Sequence, residues 1–189
     1  GPVARELRED LWNRFKQASS IINKKHQAYF DELHAKENEN LEKKQALIVR
    51  LKEINIDKLK GNKQWEEATE KVQAIQQEWR LIGFAPKKQN QTIYEEYRQL
   101  CDAFFKAKTA YYKGMRDEFA ENLKKKRQLV EEAESLKEST DWKETTDKLV
   151  ELQKQWKAIG PVARKYSDDL WKMFTTACDT FFEAKRVAT

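Results

Sequence analysis

The stretch WEEATEKVQAIQQEWRLIG (65–83) decides the fold of this chain. Its apolar residues are separated alternately by three and four positions, which places their side chains on one face of an α-helix. This apolar stripe consists of Trp65, Ala68, Val72, Ile75, Trp79 and Ile82. Gly83 follows the last stripe residue, where a helix C-cap tolerates a left-handed conformation best. The pattern predicts an amphipathic helix over roughly 63–82.

The same pattern returns as WKETTDKLVELQKQWKAIG (142–160), with the two tryptophans at the same separation. Asp141 is positioned to cap the start of this helix, with Glu144 as its capping-box partner. Pro161 prevents the helix from continuing. A second short helix is therefore predicted over 141–159.

The chain around these two helices is an internal repeat. GPVAR at 1–5 returns at 160–164, and GFAPKKQNQTIY (83–94) is a diverged third copy of the same segment. The run ENLEKKQAL (39–47) matches ENLKKKRQL (121–129). The copies are spaced by 82 and then by 77 residues, and the last one is cut short. We interpret GPVAR as the corner at which each short helix turns into the next long one.

Long segments without helix breakers separate the corners from the short helices. Residues 7–56 and 90–138 contain no proline, and Gly114 is their only glycine. A continuous helix of ~45 residues would be ~70 Å long at ~1.5 Å per residue. The weak helix formers between Asn38 and Asn40 leave open a break in the first of these helices.

The predicted fold is all-α, an elongated tandem array of three-helix bundles. Each bundle combines the back half of one long helix, a short helix and the front half of the next long helix. The first bundle is predicted at 37–113 and the second at 114–189, with a long helix shared between them. Residues 1–36 form the N-terminal half of a long helix whose partners we expect upstream of the chain.

The composition agrees with this reading and excludes several protein classes. Five glycines and three prolines in 189 residues are too few for the turns of a β-sheet protein. No apolar run approaches the ~20 residues that span a bilayer, so we expect no membrane partner. Two cysteines, Cys101 and Cys178, argue for a reducing compartment and hence for a cytoplasmic protein. Because they occupy equivalent positions in different bundles, we interpret them as semi-buried filling residues.

Several motifs resemble one family. They are the short helix W-x13-W, the corner I-G-P-V-x-R, the long-helix start L-W-x-x-F and the run E-N-L-x-K-K, and they resemble the repeats of the bacterial "domain of unknown function 349". The resemblance covers nearly the whole chain, in two full units and a part. It departs at 83–94, where the Gly-Pro pair and the tryptophan are replaced. The resemblance implies a helical, tandem-repeated architecture and no established activity.

Nothing in the sequence has the pattern of a catalytic or metal site. His26 and His34 lie eight residues apart with no acidic or thiol ligand at chelating spacing, so we interpret both as surface residues. No Gly-rich phosphate loop, HExxH motif or nucleophile elbow occurs. We expect a protein that is not an enzyme, with no cofactor, no metal and no small-molecule ligand.

The six tryptophans fall on or beside the apolar stripes. We interpret them as bundle core rather than as platforms for base stacking. They are Trp12, Trp65, Trp79, Trp142, Trp156 and Trp171.

The basic residues are unevenly distributed. Between Lys87 and Arg127 there are eleven Lys and Arg against six acidic residues, whereas between Glu131 and Glu151 there are three against eight. Cations at a corner follow a helix C-terminus, where they interact favourably with the helix dipole. Repeated along the chain, they would also make a series of positive sites for phosphates. The candidate nucleic-acid contacts are Arg5, Lys87, Lys88, Lys124, Lys125, Lys126, Arg127, Arg164 and Lys165.

Two functional hypotheses follow. The first is a non-enzymatic helical repeat protein that acts as a scaffold, a spacer or a protein-interaction rod for an unidentified protein partner. The alternative is weak, sequence-independent binding to nucleic acid or to the ribosome through the basic corners.

Overall fold

The computed structural model describes the backbone of residues 2–189 and the side chains from residue 4 onward. No β-strand occurs in the described residues, so the all-α prediction is confirmed. A short 3₁₀ turn lies at Ile56–Lys58. The five α-helices are α1 (Pro2–Lys52), α2 (Asn62–Leu81), α3 (Lys87–Leu136), α4 (Trp142–Ala158) and α5 (Arg164–Ala188).

The two short helices form where the apolar spacing places them. The bounds of α2 and α4 differ from the predicted ones by one residue at each end. Their apolar stripes face inward, and Val72 in α2 and Leu149 in α4 have no exposed surface. The Asp141 side chain accepts a hydrogen bond from the Glu144 backbone N–H at 3.4 Å, as the capping motif predicts.

The long helix α1 runs without a break through Asn38 and Asn40. The Asn40 side chain is buried, and its Nδ2 donates a hydrogen bond to the carbonyl oxygen of Phe84 at 2.9 Å. An asparagine weakens a helix when its side chain competes for the local backbone groups. Here the amide is engaged with a residue 44 positions away, and the helix continues.

The corner glycines do not have the conformation that was predicted. None of the glycines at 61, 83, 114 and 160 has a positive φ, so the expected left-handed caps are wrong. Ile82 and Ile159 cap the short helices in extended conformations instead. A Cβ atom on Gly83 would lie 3.0 Å from Asn40 Nδ2, and one on Gly160 would lie 2.9 Å from Asn122 Nδ2. A side chain at either glycine would crowd the amide of the neighbouring asparagine.

The chain divides into two compact units, Gly1–Lys108 (unit 1) and Thr109–Thr189 (unit 2). In unit 1 the core combines the back part of α1, the whole of α2 and the front part of α3. The Trp79 ring stacks on Tyr97, with centroids 3.9 Å apart and planes 5° apart. The ring centroids of Trp65 and Phe104 lie 5.6 Å apart. The tryptophans at both ends of α2 therefore pack on the front of α3.

Unit 2 repeats this packing with different residues. The Trp156 ring stacks on Phe174, with centroids 4.4 Å apart and planes 8° apart, and Trp142 contacts Phe181 at 5.6 Å. These contacts place α4 on the front of α5. The back part of α3 contributes the remaining wall, formed by Leu129, Val130 and Ala133.

The tryptophans do not all lie in the core. Trp65, Trp79 and Trp156 are buried and Trp142 is half-buried. Trp12 and Trp171 are 55% and 53% exposed, so the interpretation of these two as core residues is wrong. Position 171 lies about 100° around the helix from the buried Leu170, at the edge of the packed face. Trp12 lies on a part of α1 that no other described element covers.

Candidate interaction surface

The front part of α1 exposes an apolar face. Between residues 4 and 36 every side chain is exposed except that of Ser19, which is half-buried. At about 100° per residue, seven apolar side chains of this segment fall within an arc of about 80°, while Trp12, Ile21 and Phe30 lie outside it. We call this face the α1 stripe, and it consists of Leu7, Leu11, Phe15, Ala18, Ile22, Tyr29 and Leu33. Contiguous apolar faces of this kind mark interaction sites in soluble proteins.

The equivalent residues of α5 are buried. Counted from the glycine that opens each repeat, Leu11 corresponds to Leu170 and Phe15 to Phe174. Leu11 is 62% exposed and Leu170 is 5% exposed, while Phe15 is 62% exposed and Phe174 is 2% exposed. Ile22 is exposed, whereas its equivalent Phe181 has no exposed surface. The α1 stripe therefore has the pattern of a packed face and lacks a covering helix within the described residues.

The same pair of contacts, which we call the corner clamp, occurs at the corners that follow α2 and α4. Asn122 Nδ2 donates to the carbonyl oxygen of Pro161 at 2.8 Å, as Asn40 Nδ2 does to Phe84. Four residues further on, the Lys126 ammonium lies 4.8 Å from the centroid of the Trp156 ring. The recurrence of the ENLxKK run at matched positions was the available signal for this clamp.

The same lysine position in unit 1 is occupied by Lys44, which is buried against Trp79 with its Nζ 5.0 Å from the ring centroid. Burial lowers the pKa of Lys44, while the electron-rich ring beneath it favours the charged ammonium. The cation–π contact thus offsets part of the cost of removing the charge from water.

This clamp changes the role of one predicted nucleic-acid contact. Lys126 is half-buried and its ammonium covers Trp156, so it is a packing residue. Lys124 and Lys125 are exposed. Arg127 is also exposed, and its guanidinium lies 5.2 Å from the Tyr166 ring centroid.

The structure brings two of the other candidate cations together. The Lys165 ammonium lies 5.0 Å from the centroid of Tyr166, the ring that Arg127 also approaches. Tyr166 corresponds to Gln89 in unit 1, so the corner at Lys87 and Lys88 has no equivalent aromatic residue. We call the arrangement in unit 2 the Tyr166 corner, formed by Arg127, Arg164, Lys165 and Tyr166.

The helix-dipole explanation of the corner cations is wrong. Lys87 and Lys88 open α3, and Arg164 and Lys165 open α5, so all four lie in the first turn of a helix. The positive end of the dipole disfavours cations there. Arg5 is likewise close to the start of α1, and it lies 3.9 Å from Glu9.

The cysteines and histidines of this chain do not lie in environments that would support catalysis or metal binding. Burial raises the pKa of the Cys101 and Cys178 thiols, which keeps them protonated. His26 and His34 are exposed, and His34 Nδ1 lies 3.7 Å from Glu37. Among the described side chains, no three of His, Cys, Asp or Glu form a group that could hold a metal ion.

No helix within residues 2–189 combines the length and the apolarity needed to cross a membrane.

Comparison with known proteins identifies the repeat. No curated protein and no solved structure matches the chain. A family model described as Domain of Unknown Function (DUF349) matches it twice, at residues 10–88 and 92–165. Each match begins in the front part of a long helix and ends just beyond a corner. The chain therefore belongs to the DUF349 family and carries two tandem copies of its domain.

Proposed function

We propose that this protein is a non-enzymatic helical repeat protein that acts as a scaffold by binding another helical protein on the α1 stripe. The observation that carries the proposal is the exposure of Leu11, Phe15 and Ile22, whose equivalents in α5 are buried. Burial of a side chain of this size stabilises a complex by about 1.5–3 kcal/mol. Covering the α1 stripe with an apolar helix face is thus a strong driving force for association.

The environment of the side chains supports a structural rather than a catalytic role. Catalysis by a cysteine requires a lowered thiol pKa, whereas burial raises the pKa of Cys101 and Cys178. The two free thiols also support a cytoplasmic location, which is part of the proposal.

The proposal is tested by comparing one stripe variant with one matched control. The double variant Leu11→Asp/Phe15→Asp places two charges on the α1 stripe. The control Asn13→Asp/Ser20→Asp adds the same charges to the opposite, exposed face of α1. Each immobilised chain is exposed to a lysate of the source organism, and retained proteins are identified by mass spectrometry and re-tested in purified form.

We expect one defined helical protein to bind the unaltered chain and the control, and to be lost from the stripe variant. Retention of the same proteins by all three chains would contradict the proposal. Circular dichroism of each variant checks that helicity is unchanged.

A second candidate function is weak, sequence-independent binding of nucleic acid at the Tyr166 corner. The observation that favours it is the convergence of Arg127 and Lys165 on one aromatic ring at the start of a helix. Both the backbone N–H groups of a helix N-terminus and cationic side chains attract phosphates, and an aromatic ring can stack on bases. The acidic stretch between Glu131 and Glu151 opposes such binding.

The second candidate is tested by the salt dependence of binding to single-stranded RNA. Each phosphate contact contributes about −0.7 to the slope of log K against log salt. Changing Arg127, Arg164 and Lys165 to Ser should lower the affinity and make the slope shallower, whereas changing Lys106, Lys108 and Lys113 to Ser should change both less. Equal loss in the two variants would leave the Tyr166 corner without a special role.

A further inference from the structure

The DUF349 copies are divided differently from the packed units. The copy at 10–88 begins with the front part of α1 and ends with α2 and its corner. In unit 1, α2 packs through Trp79 and Trp65 on the front of α3, which belongs to the copy at 92–165. Each copy thus starts with the apolar front part of a long helix, which we call its front, and finishes with a tryptophan-bearing short helix, which we call its end. The end of each copy packs on the front part of the long helix that follows it in the chain.

The two short helices of this chain, α2 and α4, are already packed on long helices. The end formed by α2 covers the front of α3, and the end formed by α4 covers α5, on which Trp156 and Trp142 pack. The α1 stripe is the one front within residues 4–189 that has no end packed on it. A second copy of this chain could supply an end only by unpacking one of its own units.

We propose that the α1 stripe is the docking site for the end of another DUF349 repeat, one whose tryptophan-bearing helix is not already packed. This inference rests on the proposed function and names the class of protein that the scaffold binds. The contact is heterologous, or head-to-tail, because it joins two different surfaces: the α1 stripe and a tryptophan-bearing short helix. It has the same geometry as the two contacts inside the chain.

The register of the docked helix follows from the equivalent residues. Phe15 corresponds to Phe174, so it receives the second tryptophan of the incoming helix in a stacked contact such as that with Trp156. Ile22 corresponds to Phe181 and receives the first tryptophan, the equivalent of Trp142. The separation of Phe15 and Ile22 equals that of Phe174 and Phe181, the two rings on which Trp156 and Trp142 pack.

Arg14, which lies beside the α1 stripe, favours one kind of docking DUF349 segment over another. In unit 1 the Lys52 ammonium lies 2.6 Å from the Glu96 carboxylate. The residue of α1 equivalent to Glu96 is Arg14, and the residue of α3 equivalent to Lys52 is Glu134. A docking segment that resembles the back of α3 together with α4 therefore brings a carboxylate to Arg14. A segment that resembles the back of α1 together with α2 brings a second cation.

The test uses the full chain and a probe of known sequence. The probe is a synthetic peptide of residues 114–163, which contains the back part of α3, the whole of α4 and the corner but lacks α5. The photo-cross-linking amino acid benzoylphenylalanine replaces Phe15 in one chain and Lys24, on the opposite face of α1, in the other. The control probe carries Trp142→Ser and Trp156→Ser.

We expect the probe to cross-link at position 15 and not at position 24. The control probe should cross-link roughly tenfold less, since tryptophans at the centre of an interface dominate its binding energy. A probe that exchanged with α4 would lie on α5, away from position 15, so a product at position 15 reports docking on the α1 stripe. Absence of a product at position 15, or equal products from both probes, would overturn the inference.

Irradiating the chain that carries the cross-linker at position 15 in a lysate of the source organism separates the inference from the proposed function. A cross-linked protein that contains a DUF349 repeat and is not a copy of this chain supports both. A helical protein without such a repeat overturns the inference and leaves the proposed scaffold function intact. A second copy of this chain also overturns the inference. No cross-linked protein at all contradicts both proposals.

Discussion

The front of α1 and the helix α5 carry the same pattern in opposite environments. Leu11 and Phe15 of α1 align with Leu170 and Phe174 of α5, yet the first pair is exposed and the second is buried. The difference is the neighbour, because α4 covers α5 and no described helix covers the front of α1. An apolar stripe thus encodes one half of an interface. The energy that it contributes depends on which helix supplies the other half.

The largest expected difference between the two regions is in stability. Phe174→Ala removes the ring that stacks on Trp156 and should lower the free energy of unfolding of unit 2 by about 3–5 kcal/mol. Phe15→Ala removes an exposed ring and should change the stability by about 0.5 kcal/mol or less. Urea denaturation followed by circular dichroism measures both. Equal losses would show that Phe15 is packed.

The corner clamp predicts a smaller loss that also distinguishes the regions. Asn122→Ala removes the hydrogen bond to the Pro161 carbonyl and should cost about 1–3 kcal/mol, because that carbonyl loses its side-chain donor. Asn23→Ala, on the exposed front of α1, should be close to neutral.

A double-mutant cycle sharpens this prediction. Gly160→Ala places a Cβ atom 2.9 Å from Asn122 Nδ2 and should destabilise the unaltered chain. In the Asn122→Ala background the same change meets no amide, so its cost should fall. Additive effects would show that the glycine is required for another reason.

Thiol reactivity gives the third and smallest expected difference. Burial raises the pKa of Cys178, so the reactive thiolate is depleted at pH 8 and becomes abundant only at higher pH. Ser19 is the equivalent position on α1. The thiol introduced by Ser19→Cys should react with Ellman's reagent about tenfold faster than Cys101 and Cys178. Similar rates for the three thiols would show that the half-buried position 19 is as inaccessible as the buried positions 101 and 178.

The sequence predicted those features that depend on local periodicity. The stripe from Trp65 to Trp79 fixed α2 to within one residue at each end, and the capping pair Asp141 and Glu144 fixed the start of α4. The absence of proline gave the long helices. Alignment of the repeats also predicts that Phe15 is equivalent to Phe174.

The features that sequence reasoning missed depend on distant residues. The space beside Gly83 is limited by Asn40, which is 43 positions away, so a local cap was the wrong explanation. Lys126 was counted with the surface cations, because only the tertiary contact with Trp156 distinguishes it from Lys124 and Lys125. Trp171 is next to a buried residue in sequence and is exposed because it lies at the edge of the packed face.

Hydrogen–deuterium exchange reports local stability along the chain and so measures whether the front of α1 is unpaired. We expect amides in residues 4–36 to exchange much faster than those in residues 168–184, although the two segments carry the same apolar pattern. Adding the peptide 114–163 should slow exchange in residues 4–36 and leave unit 2 unchanged. Equal protection of the two segments in the chain alone would contradict the claim that the α1 stripe is an unpaired half of an interface.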